Sequence, residues 1–276
     1  MNPRNAFQNL FRTRRALVGM LHVEALPGTP RAHLNVDEIV RRVVEEARQL
    51  RDAGFDGLLI ENMHDRPYLA GTVGPEVTAA MTVVGAKVRE AVDLPLGVQI
   101  LAGANREALA VALACGAQFV RVEGFVFGHV GDEGWHEAQA GELLRYRRQI
   151  GADHIQIFAD IKKKHASHAL TGDVDLEETA RAAEFFLADG LIVTGAATGE
   201  PASAEDVQGV AGATSLPTLV GSGITAENLG AFDAADALIV GSSIKVGGHW
   251  AGAVDVQRAE ALVAANRQHP TPEPAT

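Results

Sequence analysis

Residues 218–225 read TLVGSGIT, and residues 237–245 read ALIVGSSIK. Each is a short apolar run that stops at a glycine and passes into serines. Glycine lets the backbone approach an anion closely, and N–H groups at a helix start point at it. Gly221, Ser222 and Gly223, with Gly241, Ser242 and Ser243, are therefore a candidate phosphate site, and Lys245 adds a donor. Tandem loops of this kind after the last two strands are where a (β/α)8 barrel holds a substrate phosphate. A barrel requires six more strands upstream.

Six such runs are present: Ala16–His22, Gly57–Glu61, Leu96–Ile100, Phe119–Glu123, Ile155–Asp160 and Gly190–Thr194. Helical patterns separate and follow the strands at Val36–Ala53, Pro75–Ala91, Arg106–Ala114, Ala138–Gln149, Leu176–Ala188, Ala204–Ala213, Ala226–Phe232 and Val254–Ala265. Pro75 suits a first helical turn, and Asn105 and Ser203 suit N-caps. The glycines in DAGFDG, ACGAQF and ADGLIV read as positive-φ helix ends. The alternation predicts an α/β protein, a single (β/α)8 TIM barrel over residues 16–265. An open, doubly wound sheet is the structural alternative. Residues 1–15 carry Arg4, Arg12, Arg14 and Arg15 without an acid, and read as a short amphipathic helix (Phe7, Leu10, Phe11) under the barrel. A targeting or membrane-surface segment is the other reading. Residues 266–276 are polar with three prolines and read as a frayed tail.

Composition narrows the function classes. A formal charge of −11 argues against nucleic-acid binding, because a phosphate backbone needs a positive surface. The single cysteine, Cys115, excludes an intrachain disulfide and a cysteine-rich zinc site, and reads as an inert buried thiol. No apolar run is long enough to span a membrane, which fits a cytoplasmic protein. Homo-oligomerisation stays open.

In a barrel, the C-terminal strand ends face the mouth. They carry His22, Glu61, Asn62, Gln99, Glu123, Asp160 and Thr194, with Gly195 beyond. Strand alternation puts Arg121 on the face of Glu123, and Gln156 on that of Asp160 and Lys162. An interior arginine needs a partner, and Glu61, Glu123 or Gln99 is expected. Glu61, Glu123 and Asp160 are candidate acid/base groups, or with His22 the ligands of one divalent cation (Mg, Mn or Zn). Lys162 is an electrophile or a Schiff-base nucleophile. A structural ion layer is the competing account. Residues 124–137, with Phe125, Phe127, His129, Asp132, Trp135 and His136, read as a lid or substrate wall. The KKKH run at 162–165 is a local positive spot in which Lys163 and Lys164 read as solvated.

The stretches GMLHVEALPGTPR (19–31), DGLLIENMHDRPY (56–68), VRVEGFVFGHVGDEG (120–134), FADIKKKHASHALT (158–171), VTGAATGEP (193–201) and VGSSIKVGG (240–248) resemble the BtpA/SgcQ family. The resemblance implies a phosphate-binding barrel. One branch of that family is associated with photosystem I stability, and another is encoded among carbohydrate-uptake functions, which VRVEGFV and DIKKKHA resemble more. It carries His22, Glu61, Asn62, Arg121, Glu123, Asp160, Lys162, Thr194 and Gly195 as recurrent positions. A triphosphatase finds no support, since GxxxxGK[ST] is missing. The expectation is an enzyme on a small phosphorylated metabolite, a phosphosugar or nucleoside-sugar phosphate, of isomerase/epimerase, aldolase/lyase or hydrolase type. The alternative is a non-catalytic assembly or regulatory factor of the photosystem I biogenesis kind.

Overall fold

A computed structural model describes residues 2–195 and 200–269. Eight parallel strands close on themselves, which rules out the doubly wound alternative. They are β1 (Ala16–His22), β2 (Gly57–Glu61), β3 (Leu96–Gln99), β4 (Phe119–Val122), β7 (Gln156–Ile161), β9 (Gly190–Val193), β10 (Thr218–Val220) and β11 (Ala237–Val240), the last pairing back to β1 with Ala16 opposite Ala237. The helices are α1 (Pro3–Phe11), α2 (Val36–Ala53), α3 (Pro75–Ala91), α4 (Asn105–Cys115), α5 (Ala140–Gln149), α6 (Leu176–Phe185), α7 (Ala204–Ala213) and α8 (Val256–Gln268).

Inward positions sort by size. Phe119 and Phe158 pack as a tilted pair 5.2 Å apart at the N-terminal end of the barrel, and α1 adds Phe7 at 5.7 Å from Phe158 and Phe11 at 5.7 Å from Phe119. Four rings fit there because neighbouring strands offer glycine: a Cβ on Gly97 would lie 2.1 Å from the Phe119 ring, and one on Gly57 2.8 Å from Phe11. This apolar plug seals the bottom. Arg4 and Arg15 fasten α1 and the strand start to Asp236 and Asp233, at 2.6 and 3.0 Å. Polar side chains are thereby left to the opposite end.

The loops after β4 and β7 form a second, antiparallel sheet: β5 (His129–Gly131), β6 (Gly134–His136) and β8 (Ala166–Ser167), with β5 central. Phe125 is buried in the core beneath it, while Trp135 is half exposed.

Several local expectations need correction. No α-helix follows β10; one 3-10 turn, Leu229–Phe232, takes its place. Asn105 is no N-cap, because its side chain turns inward to bond the Glu123 carbonyl (2.7 Å) and amide (3.2 Å). Gly54 and Gly116 do close helices with positive φ, but ahead of ADGLIV the left-handed residue is Leu187 (φ 67), just before that stretch, and Gly190 already lies in β9. Helix α8 runs to Gln268, past the expected start of the tail, and residues 270–276 lie outside the described residues.

Candidate active site

The strand ends open into a cavity of about 550 Å³. Its floor and walls bring together His22 from β1, Glu61 from β2, Gln99 from β3, and Arg121 and Glu123 from β4. Gly221, Ser222 and Gly223 after β10, and Gly241, Ser242 and Ser243 after β11, form another side.

Asp160 sits behind this wall. Its two oxygens accept from Arg121 Nε and Nη2 at 2.8 and 3.0 Å, and the two side chains are 1% and 5% exposed. Arg121 thus chooses neither of the strand-end glutamates. Burial works against its charge, but Asp160, Glu61 and Glu123 together raise its pKa. With Asp160 occupied, the expected cation site is not assembled: among the described residues no three His, Cys, Asp or Glu groups are placed to hold a metal ion.

Glu61 is the carboxyl with the most to do. Burial pushes it up to about 7, the charges of Glu123 and Asp160 add to the rise, and Arg121 and Lys164 oppose it. His22 Nε2 faces it at 3.8 Å, while His22 Nδ1 donates to the Trp250 carbonyl at 2.8 Å. Burial first, then the nearby Lys245 charge, lowers His22 to about 3. The ring is therefore neutral, with Nε2 as its acceptor. Burial raises Glu123 too, against the attraction of Lys163 at 3.6 Å.

The two glycine–serine loops use their serines differently. Ser242 and Ser243 open a one-turn 3-10 helix, so their N–H groups lack an intrahelical acceptor. Ser243 Oγ is buried and has no hydrogen-bond partner among the described residues. Ser222 Oγ, in contrast, accepts from Gly195 N (2.7 Å) and donates to the Glu200 carbonyl (2.9 Å), tying two loops together. Gly221 makes room for its neighbours, since a Cβ there would meet Ile192 at 2.6 Å and Arg121 at 3.1 Å. Gly223 has φ +71, and a Cβ would lie 2.2 Å from Pro201.

Besides Asp160, five predicted residues lie off the wall. Asn62 accepts from Leu101 N (2.7 Å) and donates to Asp65 (3.0 Å), bracing loops. Thr194 and Gly195 lie behind Gly221 and Ser222. Lys162 donates to the Val174 carbonyl, because its φ of 49 ends the strand alternation that had placed it inside. Lys245, fully buried, turns to Glu46 on α2 at 2.6 Å. Lys163 and Lys164, expected in solvent, line the cavity instead, with Lys163 also 3.2 Å from Glu133. Sequence reasoning also missed Arg258, which reaches the Ser243 carbonyl from α8, and Arg66, Tyr68 and Trp250, which line the same cavity. Arg66 lies 4.7 Å over the Trp250 ring. No local pattern marks Arg258, which arrives only through the packing of α8.

The BtpA family model matches residues 13–268. A mitochondrial protein of Caenorhabditis elegans, F13E9.13, is 46% identical over 94% of this chain and 95% of its own length. The chain belongs to the BtpA family. Another relative, the photosystem I biogenesis protein BtpA of Synechocystis, is 35% identical over 92% of this chain and 89% of its own. Among solved structures, this BtpA-family chain is similar to (S)-3-O-geranylgeranylglyceryl phosphate synthase from Thermoplasma acidophilum, bound to sn-glycerol-1-phosphate. The TM-score is 0.60 at 14% identity, over 98% of this chain and 100% of that one. Thiamine phosphate pyrophosphorylase from Pyrococcus furiosus gives 0.57 at 16% identity, over 92% and 96%. At such identities the likeness concerns the barrel. Among the described residues no helix of this family member is long and apolar enough to cross a membrane.

Proposed function

We propose that this BtpA-family protein is an enzyme acting on a small phosphorylated metabolite by carboxylate acid/base chemistry. One juxtaposition carries the reading: a buried carboxyl held near neutrality and an unsatisfied anion corner open into the same cavity. Glu61, at about 7, can both give and take a proton near neutral pH. The N–H groups of Ser242 and Ser243, the Ser243 hydroxyl and the Arg258 guanidinium offer donors and one charge to a phosphate. Similar barrels that handle phosphate esters make this occupant reasonable, although fold alone does not choose chemistry. Glu123 and Lys163 form a neighbouring pair suited to hydrogen-bonding a hydroxyl, and among the described residues the Gln99 Oε1 and Glu123 Oε2 atoms lack hydrogen-bond partners.

The test is calorimetric titration with a panel of phosphosugars on the parent, Arg258→Met and Glu61→Gln. Arg258→Met is expected to weaken binding about tenfold or more, the scale of one charge-assisted hydrogen bond. Glu61→Gln keeps binding and stops turnover of whichever compound is converted. Unchanged affinity in Arg258→Met would move the phosphate elsewhere.

A further inference from the structure

Only five of the 24 basic residues are lysines: Lys87, Lys162, Lys163, Lys164 and Lys245. Four have a partner. Lys87 pairs with Glu90 at 2.7 Å, Lys162 donates to the Val174 carbonyl, Lys163 bridges Glu123 and Glu133, and Lys245 pairs with Glu46. Among the described residues, Lys164 has no hydrogen bond and no ion pair. It is half buried on the wall of the cavity that also contains Glu61, Ser243 and Arg258. Positive φ at Lys162 and His165 brackets the turn that brings it there.

As a stabilising group this lysine makes little sense, because a cation drawn partly out of water without a partner costs free energy. As a nucleophile it is well placed. Burial, and then the charge of Arg121, holds its ammonium below the usual lysine range, against the pull of Glu61, Asp160 and Glu123. An ammonium that gives up its proton more readily than usual, on the same cavity wall as a carboxyl raised to about 7, is the pair that carbonyl condensation requires.

We infer that Lys164 is an imine-forming nucleophile and that the cavity takes a small phosphorylated aldehyde or ketone whose carbonyl carbon condenses with its Nζ. In the first step the Nζ lone pair forms the C–N bond, the C=O π pair moves to oxygen, and one amine proton passes to that oxygen. Glu61, in its acid form, then protonates the hydroxyl. The C–O bond breaks, water leaves, and the nitrogen lone pair completes the C=N bond. Nitrogen keeps one proton, so an iminium cation faces an ionised Glu61 and charge is conserved. The iminium can accept the electron pair of an adjacent C–C or C–H bond, which places the chemistry in the lyase or isomerase class. The site assignment rests on the proposed function only for where the phosphate end is held.

The experiment is borohydride trapping on the full chain. Hydride reduces the iminium to a stable secondary amine, which peptide mass mapping locates. Dihydroxyacetone phosphate and glycolaldehyde phosphate serve as probes, with dihydroxyacetone and glycolaldehyde as their phosphate-free counterparts. At pH 7 the expected adduct is at Lys164, in clear excess over Lys87, which lies outside the cavity. Lys164→Arg should lose the adduct and keep phosphate affinity. Labelling spread evenly over the lysines, or missing at Lys164 with every probe, overturns the inference. Equal labelling of Lys164 by the phosphorylated and unphosphorylated members would uphold the lysine and sink the phosphate corner. Phosphate binding sensitive to Arg258→Met, with no adduct at Lys164, would sink the lysine alone.

Discussion

Asp160→Asn is expected to destabilise the protein while lowering the pKa of Glu61. The side chain is 1% exposed and supplies both acceptors for Arg121, at 2.8 and 3.0 Å. An amide keeps one acceptor and turns N–H toward a guanidinium that is all donor. Removing one partner of a buried pair costs about 3–5 kcal/mol. Glu61 and Glu123 also act on Arg121 and offset part of the loss, which puts the expectation near 3 kcal/mol. At roughly 2–4 °C per kcal/mol, the melting temperature falls by about 6–12 °C. The same change removes a negative neighbour that holds the Glu61 carboxyl up, so its midpoint moves below about 7. Urea unfolding gives the first quantity, and a carbon-13 titration of the Glu61 carboxyl gives the second. A loss under about 1 kcal/mol, the range of an exposed pair, or an upward move of Glu61, would refute the assignment of Asp160 as the counter-ion of Arg121.

Glu61→Gln should change how stability follows pH. A carboxyl raised from 4.5 to about 7 binds more protons folded than unfolded, so its contribution falls as pH rises from about 4.5 through 7. His22, lowered from 6.5 to about 3, acts with the opposite sign, and its contribution is lost as pH falls from about 6.5 through 3. The two offset each other near pH 5–6 in the parent, and the variant should gain stability with rising pH there, by denaturant midpoints measured from pH 4 to 8. Lys245→Met leaves the Glu46 carboxylate without its buried cation, and a loss of about 3 kcal/mol in urea unfolding is expected. Ser243→Ala removes a hydroxyl unpaired among the described residues, so stability should stay within about 0.5 kcal/mol while calorimetric phosphate affinity drops several-fold.

Much of the barrel was legible because strand and helix periods alternate cleanly and helix starts have their own chemistry. Strand β1, helix α2 and the Ser203 cap read directly from residue types. What failed depended on geometry beyond one element. Pairing of Arg121 with Asp160 follows from the register of β4 on β7, in which Arg121 lies opposite Phe158 and Asp160 is the next inward residue. Lys162 was placed inside by counting residues two apart, and a single left-handed residue cancelled the count. Strands of two and three residues, such as β8 and β5, are too short for a pattern, so the pinning of two mouth loops into one sheet was invisible. Gly221 and Ser222 have residue types that suit an anion, and the packing and loop bracing they also provide could not be read from those types.

Amide chemical shifts during titration with glycerol phosphate, with the Glu61 carboxyl observed in the same sample, test the central claim most directly. Saturable movement of the Gly223, Ser242 and Ser243 amides is expected, together with a shift of the Glu61 midpoint away from about 7. A response confined to Arg66 and Trp250, or no saturable response in the cavity, would contradict a phosphate corner working with Glu61.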